Sequence, residues 1–472
     1  MEPDVSSTEQ SSSRIGWQTR KLLRRAWDTF VLCLLCVGFS ASGFAQPAAA
    51  PVFRPDDRRP IRDDQRAAEL GIRKYVSRHL ILYTDISPEK AATLPALIDQ
   101  IYPVWTEYFG ELPRARDGSD FQMTCYLMQD QSRFTEAGMQ PEGTMMSRFG
   151  RQIGREFWML EQQGDYYRRH LLFHEATHAF MTTLPTVLPP LWYLEGMAEF
   201  FATHQMDEQG KITFCHFPGL STSVPEWGRI ELIKQENFAQ RTFSLHQIGT
   251  MRDDQFARPR PVPYAWSWAI CAFLDGHPRY RERFRQLGQN LEYAAFQRMM
   301  VELFEPDRRL LSAEWREFAR RVDYGYDVAA SSFQPADGIP WPTGTDVQLS
   351  VTPRQGWQST GLTVEAGMNV ILQAEGTVLL RRGTPDWKSE PQGISLAYAD
   401  GIPIGTLLAG WLPVSSAVGP NTEMTLQVSP VGREATLTAP LTSELWLRVN
   451  DRGRDLSKHD GRFTVTLSRQ SP

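Results

Sequence analysis

The 472-residue chain carries 50 Lys and Arg against 55 Asp and Glu, a net charge of −5 spread along its length, so no basic surface speaks for a nucleic-acid partner. Its hydrophobic content of 41 %, with 14 Trp and 25 Phe, is that of a globular protein long enough for two or three domains. Five cysteines, two of them in an N-terminal apolar segment, leave at most one internal bridge and exclude a disulfide scaffold.

Residues 1–45 read as a signal peptide. Arg20, Lys21, Arg24 and Arg25 form a basic region, residues 30–44 are apolar, and Gly43-Phe44-Ala45 sets small residues at the cleavage positions before Gln46. This predicts export to the periplasm, the cell surface or the medium. An uncleaved membrane anchor is the alternative, although the apolar run is short for a span. Residues 46–72, rich in Pro, Ala, Arg and Asp, read as a linker.

The stretch 73–325 reads as one domain that begins as mixed α/β. Residues 79–83 and 121–128 have the pattern of strands, and 155–162 of another. Residues 88–109 read as an amphipathic helix, with Pro95 and Pro103 as breaks.

The chemistry is concentrated in His174-Glu175-Ala176-Thr177-His178. Residues 166–180 read as a helix that starts at the Gly164-Asp165 turn, and side chains four apart share one helix face. His174 and His178 can therefore grip one cation while Glu175 points into the same cleft. Pro185 and Pro189-Pro190 break the chain, and residues 191–204 read as a second helix carrying Glu195 and Glu199, again four apart. Their neighbours Trp192, Tyr193, Leu194, Met197, Phe200 and Phe201 are apolar, so a cation or a donor must offset their burial. Glu195 is the expected third ligand of one zinc ion with an open position. Glu199 is expected to accept the free ring N–H of His174.

The pattern H-E-A-T-H followed by P-P-L-W-Y-L-E-G-M-A-E-F-F resembles the gluzincin metallopeptidases, within residues 75–325. The resemblance implies Glu195 as zinc ligand and Glu175 as general base of peptide-bond hydrolysis. The G-x-M-E-N element of the aminopeptidase branch is absent, so exopeptidase action is not implied. Tyr264, in Pro263-Tyr264-Ala265-Trp266-Ser267-Trp268, is the candidate oxyanion donor, since a tyrosine serves so in several gluzincins. His246, His204 and Tyr193 rank below it. His170, one turn before His174, is expected on the surface or behind the ligands, because a fourth protein ligand would close the site. In that architecture an edge strand pairs with extended substrate, and residues 155–162 are the expected cleft wall.

Beyond these helices, residues 206–214 read as a hairpin around Gln209-Gly210, and 266–322 as helical, including 279–296 and 313–321. Arg279, Arg281, Arg283 and Arg285 read as a solvated face. Cys125 and Cys271 have the apolar neighbours of core thiols. Residues 326–346, with Pro335, Gly338, Pro340, Pro342 and Gly344, read as a second linker.

From 347 to 472 short alternating segments separated by turns read as an all-β sandwich: 347–351, 362–364, 370–374, 424–428, 435–438, 445–449 and 463–467. Gly356-Trp357, Thr360-Gly361-Leu362-Thr363-Val364, Pro403-Ile404-Gly405-Thr406-Leu407, Leu445-Trp446-Leu447-Arg448-Val449-Asn450-Asp451 and Asp460-Gly461-Arg462-Phe463 resemble the calcium-dependent galactose-binding bacterial lectin. The resemblance puts Asp451 and Asp455 on two Ca²⁺-ligand positions. Lys458 and His459 stand where two asparagines are expected, and an ammonium beside Ca²⁺ argues against calcium and galactose.

The expected protein is thus a multidomain α+β chain: a zincin-like domain, then a β-sandwich. Its expected activity is zinc-dependent cleavage of a polypeptide substrate, with a glycan or cell-surface ligand as a candidate partner of the sandwich. The competing reading is a non-catalytic carbohydrate- or protein-binding surface protein with a relic zincin domain. Zinc hydrolysis of a bond other than a peptide is a third.

Overall fold

Five strands build the first sheet of the computed structural model, which describes residues 53–54, 60–141, 150–184, 189–257, 261–341, 344–417 and 423–469. They are β1 (Arg73–Val76), β2 (Leu80–Thr84), β3 (Met123–Met128), β4 (Arg151–Ile153) and β5 (Glu156–Leu160), in the order β1-β2-β3-β5-β4. β2, β3 and β5 run parallel, while β1 and β4 close the two edges antiparallel. Every residue of β3 is buried, as a central parallel strand covered on both faces requires. Residues 155–162, expected as an edge strand, are therefore not at an edge. β5 lies inside the sheet, and β4, which the sequence reading did not find, is the edge. Period-2 alternation reports faces, not the position of a strand within a sheet.

One face of the sheet is covered by α1 (Asp64–Glu69), whose N-cap is Asp63, and by a stack of Tyr83, Tyr126 and Trp158. The expected first linker therefore ends in packed structure, with Ala67 and Ile72 buried. The other face carries α2 (Leu94–Phe109) and α3 (Asp165–Met181). Pro95 sits in the first turn of α2, where its missing N–H costs nothing. Pro103 does not break the helix, because Ile98, Ile101, Trp105 and Phe109 hold it by burial on both sides of that residue. Trp105 Nε1 donates to Thr177 Oγ1 at 3.2 Å and fixes α3 on α2.

α4 (Leu191–Ala202) packs on α3, and a two-stranded hairpin follows, β6 (Gln205–Met206) with β7 (Ile212–Thr213). Then come α5 (Arg229–Phe238), α6 (Val262–Gly276) and α7 (Arg308–Arg321). The stretch 279–296, read as one helix, is interrupted between Arg281–Leu287 and Tyr293–Phe304. Gly288 lies there against the rings of Tyr108 and Phe109, and Glu292 caps the second piece. The arginines nearby are not merely a solvated face: Arg279 pairs with Glu314 at 3.0 Å, Arg283 with Asp307 at 2.6 Å and Arg285 with Asp275 at 2.8 Å.

The C-terminal part is a two-sheet β-sandwich. One sheet has the order β13-β14-β17-β10-β8, and the other β12-β11-β18-β9. The strands are β8 (Ile339–Pro340), β9 (Val347–Val351), β10 (Gln358–Val364), β11 (Asn369–Arg381), β12 (Trp387–Ser389), β13 (Gln392–Ala399), β14 (Ile402–Pro413), β15 (Gln427–Pro430), β16 (Glu434–Thr438), β17 (Ser443–Val449) and β18 (Asp460–Arg469). β15 pairs with β14, and β16 with β11. All seven segments read as strands fall on or overlap strands. β12, β13 and β14 were not read as strands, and the reason is clearest at β14: it is buried on both faces and shows no alternation. Its Leu407, Ala409 and Trp411 enter the sandwich core, while Leu408 and Leu412 pack with Ala313, Phe333, Trp357 and Trp446.

That seam also absorbs the expected second linker. Tyr326, Val328, Phe333 and Trp341 are buried, Val328–Ser331 forms a helical turn capped by Asp327, and β8 runs parallel to β10. Arg448 Nη1 lies 2.6 Å from Glu317 Oε1, and Arg309 pairs with Glu444, across the same seam. No described helix is long and apolar enough to cross a membrane. The expected signal peptide lies outside the described residues.

Candidate metal centre

Two helices position the centre. Gly164 caps α3, Asp165 opens it and pairs with Arg168, and the helix then carries His174, Glu175 and His178 among side chains that are nearly all buried. α4, with Pro190 at its N-cap, brings Glu195 to the same place. A glycine follows Glu195 because α4 and α6 touch there. A Cβ on Gly196 would stand 2.5 Å from the carbonyl oxygen of Ser267 and 2.7 Å from Cys271 Sγ.

The three expected ligand atoms converge. His178 Nε2 lies 3.1 Å from His174 Nε2 and 3.2 Å from Glu195 Oε2, and His174 Nε2 lies 3.4 Å from the same oxygen. Donors at 2.0–2.1 Å from a tetrahedral ion stand about 3.3 Å apart. An imidazole N–H shared between two of these atoms or one cation shared by all three satisfies this spacing, so this buried His/Glu group could hold a metal ion. Burial would raise the pKa of Glu195, but the imidazoles of His178 and His174 outweigh it and hold the carboxyl at about 2. It is therefore an anion ready to ligate.

Glu175 is set apart from its neighbour. Burial pushes its pKa up to about 8, with His178 opposing and Glu195 adding to the rise. Its carboxyl lies against Gly150, just before the edge strand β4: a Cβ there would stand 2.3 Å from Oε1. Tyr264, at the start of α6, has its ring centroid 6.4 Å from that of His174 and packs edge-on against Phe256. Burial, then Glu195, Glu199 and Glu175, raise its phenol pKa, so the hydroxyl keeps its proton.

Glu199 Oε1 lies 3.6 Å from His174 Nδ1, long for the expected hydrogen bond. Its main partner was not read from the sequence. Arg229 donates Nη2 to Oε1 at 2.7 Å and Nε to Oε2 at 3.1 Å, and Trp227 Nε1 donates to Oε2 at 3.3 Å. Burial would raise the pKa of Glu199, but Arg229 and His170 hold it well below the carboxylate range. His170 is buried and not on the surface, with Nε2 3.2 Å from Glu199 Oε2 and Nδ1 3.0 Å from the Ala202 carbonyl. Both partners are acceptors, and burial lowers the pKa of this ring; the neutral form can donate to only one of them. His170, His174 and Glu199 also come close enough to suggest a second ion. The guanidinium already bound to Glu199 occupies that role.

The lower-ranked candidates lie elsewhere. His204 contacts the Ala202 carbonyl, stacks on Tyr166, and is driven by burial to a pKa of about 3. Tyr193 is enclosed by Trp192, Phe284 and Phe296, and His246 is exposed. In the sandwich, Asp455 is paired with Lys458 at 2.7 Å and Arg454 at 3.5 Å, while Asp451 accepts the Gly453 N–H. Among the described residues, the groups of His, Cys, Asp and Glu able to hold an ion both include His174, and neither includes these aspartates.

No family model matches the sequence, and no curated protein matches it. Solved structures similar to parts of it include the EclA N-terminal domain, a PllA-like lectin, at 17 % identity and TM-score 0.20, with 26 % of this chain and 95 % of that one covered. Another is the Aeromonas hydrophila PliG, a periplasmic lysozyme inhibitor of g-type lysozyme, at 8 % identity and TM-score 0.16, covering 29 % of this chain and 97 % of that one. At these scores neither likeness bears on function.

Proposed function

We propose that the chain is an exported, zinc-dependent peptide hydrolase of the gluzincin type, with His174, His178 and Glu195 as ligands of a single zinc ion. The observation that carries this reading is the convergence of three donor atoms within 3.4 Å beside a second, buried carboxyl, that of Glu175. A structural ion would need no such neighbour. Zinc supplies Lewis acidity toward a peptide carbonyl and toward water.

The protein's own groups do the rest. The Glu175 carboxylate takes a proton from the attacking water and returns it to the departing amine. The protonated Tyr264 hydroxyl donates to the oxyanion that forms at the former carbonyl oxygen. Proton transfer of this kind contributes roughly 10²–10⁴-fold in rate.

The test is Glu175→Gln in the full chain, with zinc content measured alongside cleavage of an unbiased peptide library. Stoichiometric zinc with cleavage reduced at least about 100-fold is expected. An equally active variant would remove Glu175 from the mechanism. A wild-type protein that binds zinc and cleaves no peptide would overturn peptide hydrolysis and leave the non-catalytic binding reading and hydrolysis of another bond.

A further inference from the structure

We infer that Arg229 is a positioning residue of this centre, acting on the ligand His174 through Glu199; the inference rests on the zinc-site reading above. Glu199 and Arg229 are both almost fully buried, at 2 % and 7 % exposure. The guanidinium meets the carboxylate with two nitrogens, Nη2 on Oε1 at 2.7 Å and Nε on Oε2 at 3.1 Å. A two-point contact fixes the plane of the carboxylate, which a single hydrogen bond does not. With the plane fixed, Oε1 faces His174 Nδ1 at 3.6 Å, and Oε2 faces Trp227 Nε1 and His170 Nε2.

The consequence falls on the imidazole. At 3.6 Å the Glu199 carboxylate acts on Nδ1 by its charge and not through a direct hydrogen bond: an anion on that side favours the proton on Nδ1 and leaves the Nε2 lone pair facing His178 and Glu195. Arg229 is itself anchored: it opens α5, its Nη1 lies 3.4 Å from the Trp227 carbonyl, and its guanidinium carbon sits 6.0 Å from the Tyr264 ring centroid. One buried side chain thus touches the elements that carry the ligand support and the candidate oxyanion donor. Lysine cannot substitute, because an ammonium offers a point charge in place of the fork.

The experiment is a thermodynamic cycle on zinc affinity, measured by chelator competition in the full chain, with Arg229→Met, Arg229→Lys, Glu199→Gln and the two Arg229/Glu199 double variants. Circular dichroism checks that each is folded at the measuring temperature. Losses of about 10–100-fold are expected for Arg229→Met and Glu199→Gln, as for other groups that orient a ligand, and a double variant should lose no more than Glu199→Gln alone. Arg229→Lys should lose several-fold while remaining folded, and it carries the cycle if the Met variant does not fold. Unchanged affinity in Arg229→Lys, or losses that multiply in the double variant, would overturn the inference even though zinc binds. If wild type and His174→Ala hold zinc equally weakly, the zinc reading itself fails, and this inference with it.

Discussion

Gly150 and Glu175 are in contact: the glycine stands where any side chain would meet the Glu175 carboxyl, and its φ of 144° lies in the region L-residues rarely adopt. The residue leading into the edge strand thus forms one wall for the expected general base. Gly150→Ala should displace that carboxyl at a strain of about 1–3 kcal/mol. Cleavage is expected to fall by about 100-fold or more, with zinc content and the circular dichroism spectrum unchanged. Kinetics of the alanine variant beside Glu175→Gln decide the matter. Wild-type kcat in the alanine variant would mean that the contact does not position Glu175.

Zinc should stabilise the fold through Glu195. Its oxygen completes the donor triangle from a second helix, so an ion held there would bridge α3 and α4 and bind the native chain in preference to the unfolded one. The melting temperature of chelator-treated wild type should rise as zinc is added. At 100 times the dissociation constant the expected gain is about 2.7 kcal/mol. Glu195→Ala should show little of this rise, and an undiminished response in that variant would place the ion elsewhere.

How much of this centre could be read from the sequence follows from the range of its contacts. His174 and His178 are readable because their spacing is a property of one helix, and Glu195 because an apolar helix carrying a glutamate needs a partner for it. The same reasoning requires a donor for Glu199, yet nothing local says that it is Arg229, which lies 30 residues further on. Gly150 is likewise silent, since its role exists only once β4 has folded beside α3. In the fold, helices and alternating strands were legible. The interior place of β5, the two-sided burial of β14 and the packing of residues 326–341 were not, because each depends on which surface comes to cover the segment.

The seam between the helical body and the sandwich depends on a buried charge cluster. Glu317 Oε1 receives Arg448 Nη1 at 2.6 Å and Arg321 Nε at 2.7 Å, while Arg321 and Arg448 also donate to the Asp451 carbonyl. Burial alone would raise the pKa of Glu317, but Arg321 and Arg448 hold it below its ordinary 4.5. A carboxyl whose pKa is depressed by folding stabilises above its unfolded pKa, and that stability is lost as pH falls through the folded value. Glu317→Gln leaves the buried Arg448 without its carboxylate partner, while Arg321 keeps Asp400, and should cost about 3–5 kcal/mol at pH 7. In urea unfolding of the full chain, the difference between wild type and variant should be largest at neutral pH and should shrink below about pH 4.5, where Glu317 of the unfolded chain begins to take up protons while the folded carboxylate does not yet. A gap that stays constant between pH 7 and pH 3 would mean that the loss comes from packing in the seam and not from the charge of Glu317.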